Sequence, residues 1–133
     1  MSDNKIFKGT ISAQGTEIAI ISKGAGDDYI SLTDIARHKN QNEPKDVVAN
    51  WMRLRNTIEF LGIWEKLNNL SFKGVEIDAF LHAAGSNSFT LSPQRWIDTT
   101  GAIGIESRSD RGGGTFAHKD MTIPAKVELF IQK

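Results

Sequence analysis

Arg108 and Arg111 stand three residues apart in Ser107-Arg-Ser-Asp-Arg-Gly-Gly-Gly114, a run of small polar residues and glycines with almost no apolar surface. Glycine tolerates the positive φ that a tight reversal needs, so Gly112, Gly113 and Gly114 can turn the chain back on itself. Two guanidiniums on such a tip suit the phosphate backbone of a nucleic acid. An ordinary solvated turn would have the same composition. A second constellation is Asn50, Arg53, Arg55 and Asn56, with the side-chain types that bond purine edges in the major groove. It also fits a plain solvated helix face. Over residues 45–60 three basic residues (Lys45, Arg53, Arg55) stand against two acidic ones (Asp46, Glu59), a surplus of one positive charge.

Catalytic chemistry finds no comparable set of residues. His38, His82 and His118 have no metal-ligand spacing, and nothing resembles GxxxxGK[ST], GxGxxG or GxSxG. His118-Lys119-Asp120 could imitate a metal or nuclease fragment, but an exposed strand-end histidine is the expectation. Gly112 to Gly114 opens no helix after an apolar strand, so it reads as turn chemistry and not as a phosphate cradle. The expectation is a protein that is not an enzyme, with no cofactor, no metal and no small-molecule substrate.

Composition sets further bounds. In 133 residues an apolar share of 39% is enough for one compact core. Lysine plus arginine and aspartate plus glutamate number 16 each, so bulk charge points to no polyanionic partner, and nucleic-acid binding must rest on local charge. Cysteine is absent, which removes disulfide scaffolds and thiolate metal sites and fits a reducing compartment. No apolar run approaches the roughly 18 residues of a membrane span, and the N-terminus lacks a signal h-region. A soluble intracellular protein is expected.

The elements that must position these residues follow from pattern. Met1 to Thr10 is polar, although Ile6 and Phe7 can begin a strand. Thr16 to Ser22 is β-branched and apolar, residues 23–28 form a turn, and Tyr29-Ile30 resumes the strand, giving a first β-hairpin. Ser31, with Asp34 three residues on, starts a short helix ending near His38 in the manner of a capping box. After a polar loop, Pro44 fits the first turn of a longer helix. Its apolar residues at 47, 48, 51, 54, 58 and 61 make one stripe stopped by Gly62, with Val48, Trp51, Leu54 and Ile58 inward. A short continuation buries Trp64. Lys73 to Ala84 is a further helix with Ile77, Phe80, Leu81 and Ala84 on one side, and Ser92-Pro93 caps another that turns Trp96 and Ile97 inward. Ile103 and Ile105 alternate with Gly104 and Glu106 as a strand with one buried face, and Thr115 to Ala117 returns.

Three stretches together resemble the KilA-N domain of phage and large DNA virus proteins. They are Tyr29-Ile-Ser-Leu-Thr-Asp-Ile-Ala36, Asn50-Trp-Met-Arg-Leu-Arg-Asn-Thr-Ile-Glu-Phe-Leu-Gly62 and Ala102-Ile-Gly-Ile-Glu-Ser-Arg-Ser-Asp-Arg-Gly-Gly-Gly-Thr-Phe-Ala-His-Lys-Asp120. The resemblance runs in order over residues 16–120. Residues 1–15 are read as an N-terminal extension that can join the first sheet, and 121–133 as a shortened tail. Family members usually continue after His-Lys-Asp with a long amphipathic helix, whereas Pro124 disfavours helix just before it here.

The resemblance implies an α+β, winged-helix-like domain: an N-terminal β-hairpin, about four short helices and a glycine-rich C-terminal β-hairpin wing. A helix-turn-helix-like unit, Ser31 to His38 followed by Asp46 to Phe60, relates it to fungal APSES winged helices. The implied function is double-stranded DNA binding in a phage or prophage regulatory protein of the bacterial cytoplasm or nucleoid. Asn50, Arg53, Arg55 and Asn56 would be the helix contacts, Arg108 and Arg111 the wing contacts with Gly112 to Gly114 letting the backbone come close, and Lys119 a lesser one. A homodimer or a protein partner is compatible with this. The alternative is a protein-interaction or assembly module that kept the fold without DNA binding.

Overall fold

The computed structural model describes residues 7–13, 15–24, 26–108 and 113–121. Three strands come first: β1 (Phe7–Ala13), β2 (Thr16–Ser22) and β3 (Asp28–Ser31). Five helices follow: α1 (Leu32–Lys39), α2 (Pro44–Met52), α3 (Arg55–Asn68), α4 (Glu76–Ala83) and α5 (Pro93–Thr100). Strands β4 (Ile105–Arg108) and β5 (Gly114–His118) and a 3-10 turn at Lys119–Met121 complete the described chain. The architecture is α+β, as expected. Among the described residues no helix is long and apolar enough to cross a membrane.

The two hairpins are not separate devices. They merge into one antiparallel sheet of order β1-β2-β3-β5-β4, because β3 pairs with β5 through Tyr29↔His118, Ile30↔Ala117 and Ser31↔Phe116. Strand alternation then sorts the side chains onto two faces. Ile18, Ile105 and Ala117 join the main core with Leu32, Ile35, Trp51, Ile58, Leu61 and Trp96, while Ile21, Tyr29 and Phe116 form a smaller cluster of their own. Since β5 is interior to the sheet, Thr115 to His118 are all buried. His118 is therefore not the exposed strand-end residue expected. It is 5% exposed, its ring 4.9 Å from that of Trp64 and 5.5 Å from Tyr29, with Nε2 3.2 Å from Asp27.

Local chemistry explains most helix boundaries. Ser31 Oγ accepts from the Asp34 amide at 3.0 Å and caps α1. The reciprocal half of a capping box is absent, because Asp34 Oδ2 instead accepts from the Ala19 amide on β2. Ser92 caps α5 through the Arg95 amide, and Gly101 ends it at φ +73°.

Two expectations are corrected. The single helix over 44–61 is two helices, broken where Leu54 is extended (φ −71°, ψ 138°) and 39% exposed. Val48, Trp51 and Ile58 still reach the core from two axes instead of one. Gly62 lies inside α3 and does not stop it. A Cβ there would meet Ile77 Cδ1 at 2.6 Å, so this glycine serves the close approach of α4. Secondly, Ile103 is 46% exposed and precedes β4. The cause is Glu65, fully buried on α3, whose carboxylate accepts from the Ile103 and Gly104 amides at 3.1 and 2.7 Å and shapes 101–104 as a loop. Gly104 fits there because a Cβ would lie 2.2 Å from Met121 and 2.8 Å from Trp64. Of the expected tail, 121–133, Met121 is buried at the end of the 3-10 turn, and 122–133 lie outside the described residues.

Candidate nucleic-acid interface

The first helix is pressed onto the second hairpin near its loop end. Thr33 Oγ1 accepts from the Thr115 amide at 2.9 Å, and Gly114 faces it at φ +131°, where a Cβ would lie 2.6 Å from that oxygen. Only glycine allows this approach in that conformation. The contact leaves a groove of about 700 Å³ between α1, the start of α2, the start of α5 and the hairpin. Arg37, Lys45 and Arg108 contribute its cations, with Gly113 and Gly114 in its wall and Asp46 the opposing charge. The first turns of α2 and α5, each with proline near its start, open on it, so the positive ends of their helix dipoles add to the potential.

These cations are held loosely or shared. Arg37 is paired with Asp34 at 2.5 Å on the exposed side of α1. Lys45 is exposed. The Arg108 guanidinium lies 3.6 Å from Glu106 and 5.8 Å from the centre of the Phe116 ring, and its buried Nε has no hydrogen-bond partner among the described residues.

The residues singled out by sequence fall into separate places. Asn50 is exposed on α2 and Asn56 on α3, now on either side of the helix break. Arg53 closes α2 and turns away from the groove, donating from Nε to Phe89 O at 2.8 Å and from NH2 to Ser86 O at 3.1 Å. Arg55 donates to Leu81 O at 3.1 Å and pairs with Glu59 at 3.5 Å. Arg53 thus ties the α2–α3 corner to the segment after α4, and Arg55 ties it to the last turn of α4 itself. Arg108, Gly113 and Gly114 are brought together in the groove; Arg111 and Gly112 lie outside the described residues. Lys119 begins the 3-10 turn beyond β5 and is not among the groove residues. Arg37 and Thr33 were missed by sequence reasoning, and Lys45 was counted only as part of a charge sum. The four-residue connection 40–43 carried the signal, because it must bring the end of α1 and the start of α2 to one corner.

A family model decides what this arrangement belongs to: the KilA-N domain matches residues 12–124, most of the chain. The chain belongs to the KilA-N domain family. KilA-N domains are DNA-binding domains, which supports DNA binding in general. No curated protein and no solved structure matched the chain. Within this KilA-N domain the match spans β2 to β5 and all five helices described, together with the last two residues of β1. Among its described residues no group of three or more histidines or carboxylates is placed to hold a metal.

Electrostatics beside the hairpin completes the site. Burial, then the charges of Glu106, Asp27 and Glu65, pushes the Tyr29 hydroxyl up to about 12. It therefore stays protonated and donates to Ile103 O at 2.8 Å.

Proposed function

We propose that this KilA-N domain binds double-stranded DNA, in a phage or prophage regulatory protein, as a winged-helix module. The observation that carries the reading is the groove between α1, α2 and the β4–β5 hairpin, where Arg37, Lys45 and Arg108 come from three elements. In this reading α2 enters the major groove with Asn50 toward base edges, and the hairpin with Arg108 and Arg111 lies on phosphates. Gly113 leaves the backbone open to close approach, while Gly114 is taken up by the contact with Thr33. Arg53 and Arg55 hold the α2–α3 corner in place, and Asn56 and Lys119 flank the contact.

The test is binding to random-sequence duplex over a salt series. The expected result is affinity that falls steeply with salt, with a log–log slope of about −2 to −4 for three or four phosphate contacts. No detectable binding at low salt would overturn the reading. A second reading then gains: a protein-interaction or assembly module, including a homodimer. It is supported by zero net charge and by an exposed apolar run of Ile63, Leu67, Leu70 and Val75 at the end of α3 and before α4.

A further inference from the structure

On the outer face of the sheet, Glu106 pairs with Lys23, 83 residues away at the end of β2, and faces Arg108 two residues along its own strand at 3.6 Å. Each cation also rests against an aromatic ring. Lys23 Nζ rests 4.4 Å from the centre of the Tyr29 ring, and Arg108 lies over Phe116. Aromatic faces hold such cations in position without neutralising them. The three charged side chains keep 25–32% of their surface in water, so the cluster is reachable. Two positive charges around one carboxylate leave a surplus of one. A hollow of about 570 Å³ opens there, and Gln94, Ser107 and Arg108 line both it and the groove on the other side of the hairpin.

We propose that Lys23 and Arg108 form a further binding site for a backbone phosphate, and that Glu106 occupies it in the free protein as an internal counter-ion that DNA must displace. This rests on the DNA-binding reading. A carboxylate and a phosphate offer the same kind of oxygen acceptors to an ammonium and a guanidinium, so one can replace the other on the same two cations. A strand following the groove past Arg108 reaches Lys23 next, because the two concavities meet at that residue. Glu106 repels the incoming phosphate and holds affinity down, and Lys23 becomes a DNA contact that its distance in sequence conceals. The partly exposed pair contributes little to folding, so its removal leaves the protein intact.

The experiment measures affinity of the full chain for random-sequence duplex over a salt series, for the wild type, Glu106→Gln and Lys23→Gln. Glu106→Gln is expected to bind about three- to tenfold more tightly, with a salt slope steeper by up to about one unit. Lys23→Gln is expected to bind more weakly, with a slope shallower by about one unit. Unchanged or weaker binding by Glu106→Gln, at an unaltered thermal midpoint, overturns the proposal while leaving DNA binding in place. If Glu106→Gln does not fold, Lys23→Gln decides alone, and wild-type affinity in that variant overturns it. A wild type that binds no duplex overturns the DNA reading and this site with it.

Discussion

At the α2–α3 corner, Arg53 directs two donors onto the carbonyl oxygens of Phe89 and Ser86, and Arg55 reaches Leu81. At the loop end of the β4–β5 hairpin, Arg108 instead faces the Glu106 carboxylate and the Phe116 ring, with Nε unsatisfied among the described residues. The residue type is the same, and the mode of holding is opposite. The part-buried Phe89 carbonyl is left without a partner if Arg53 is lost, so Arg53 acts as a strut there, whereas the exposed Ser86 and Leu81 carbonyls can turn to water. A carboxylate on a partly hydrated face can exchange its cation for another, so an arginine held there stays available to a ligand. Position in a helix or a hairpin did not make this distinction. Partners did.

The comparison can be broken most forcefully through Glu65, which fixes the loop leading into β4 much as Arg53 fixes the segment leading to α5. Glu65→Ala leaves the Ile103 and Gly104 amides without their acceptor, and unsatisfied groups of this kind cost about 1–3 kcal/mol each. A loss of about 3 kcal/mol in denaturant unfolding is expected. A loss below about 1 kcal/mol would mean that the loop is held by other contacts.

Arg53→Ala comes next. It should lower stability by about 1–2 kcal/mol, chiefly because the part-buried Phe89 carbonyl loses a charged donor, while the exposed Ser86 carbonyl can bond water. Duplex affinity, measured well below the midpoint, should stay within about twofold. Weakened and less selective binding at unchanged stability would place Arg53 on base edges and reverse the comparison.

Arg108→Ala should do the opposite. Stability should move by less than about 1 kcal/mol, since the pair with Glu106 is partly exposed. Affinity for every duplex should fall about three- to tenfold, with a salt slope shallower by about one unit. An effect confined to one selected sequence would show that the hairpin reads bases.

The smallest effect is on pH dependence. Tyr29 is the chain's one tyrosine, so ultraviolet absorbance of the phenolate reports its titration directly. Its folded-state value, about 12, lies above the ordinary 10, so its contribution to stability is full below pH 10 and is lost as pH rises through about 12. Denaturant midpoints between pH 10 and 12 should fall less in Tyr29→Phe than in the wild type. Glu106→Gln should lower the Tyr29 value, because that carboxylate helps to raise it. An unshifted titration would separate Tyr29 from the Lys23–Glu106–Arg108 cluster.

Much of the fold was legible because it is written in local chemistry. Ser31 and Ser92 at their caps, the β-branched run of β2 and the stripe carrying Val48, Trp51 and Ile58 each act over a few residues, and each appears where pattern places it. The hairpin around residues 105–118 was legible for the same reason, from Ile105 and the returning Thr115 to Ala117. Family membership was legible too, from motifs in a fixed order.

What pattern could not reach was decided by contacts across the chain. Periodicity carried Leu54 through a helix that breaks there, at a corner where Arg53 bonds carbonyls 33 and 36 residues away. Alternation put Ile103 on a buried face, but Glu65, 38 residues earlier, gathers the amides of that loop. Nothing near His118 announces that β3 will cover it. The candidate site follows the same division. Residue types alone marked Arg108 and the glycines, while the sheet order and the α1–hairpin contact chose Arg37, Lys45 and Lys23 as their neighbours. Sequence determines which groups can carry charge and where the chain can turn, since those are properties of single residues and their near neighbours. Which charges are fastened to the fold and which are left for a ligand depends on distances that exist only once the sheet has closed.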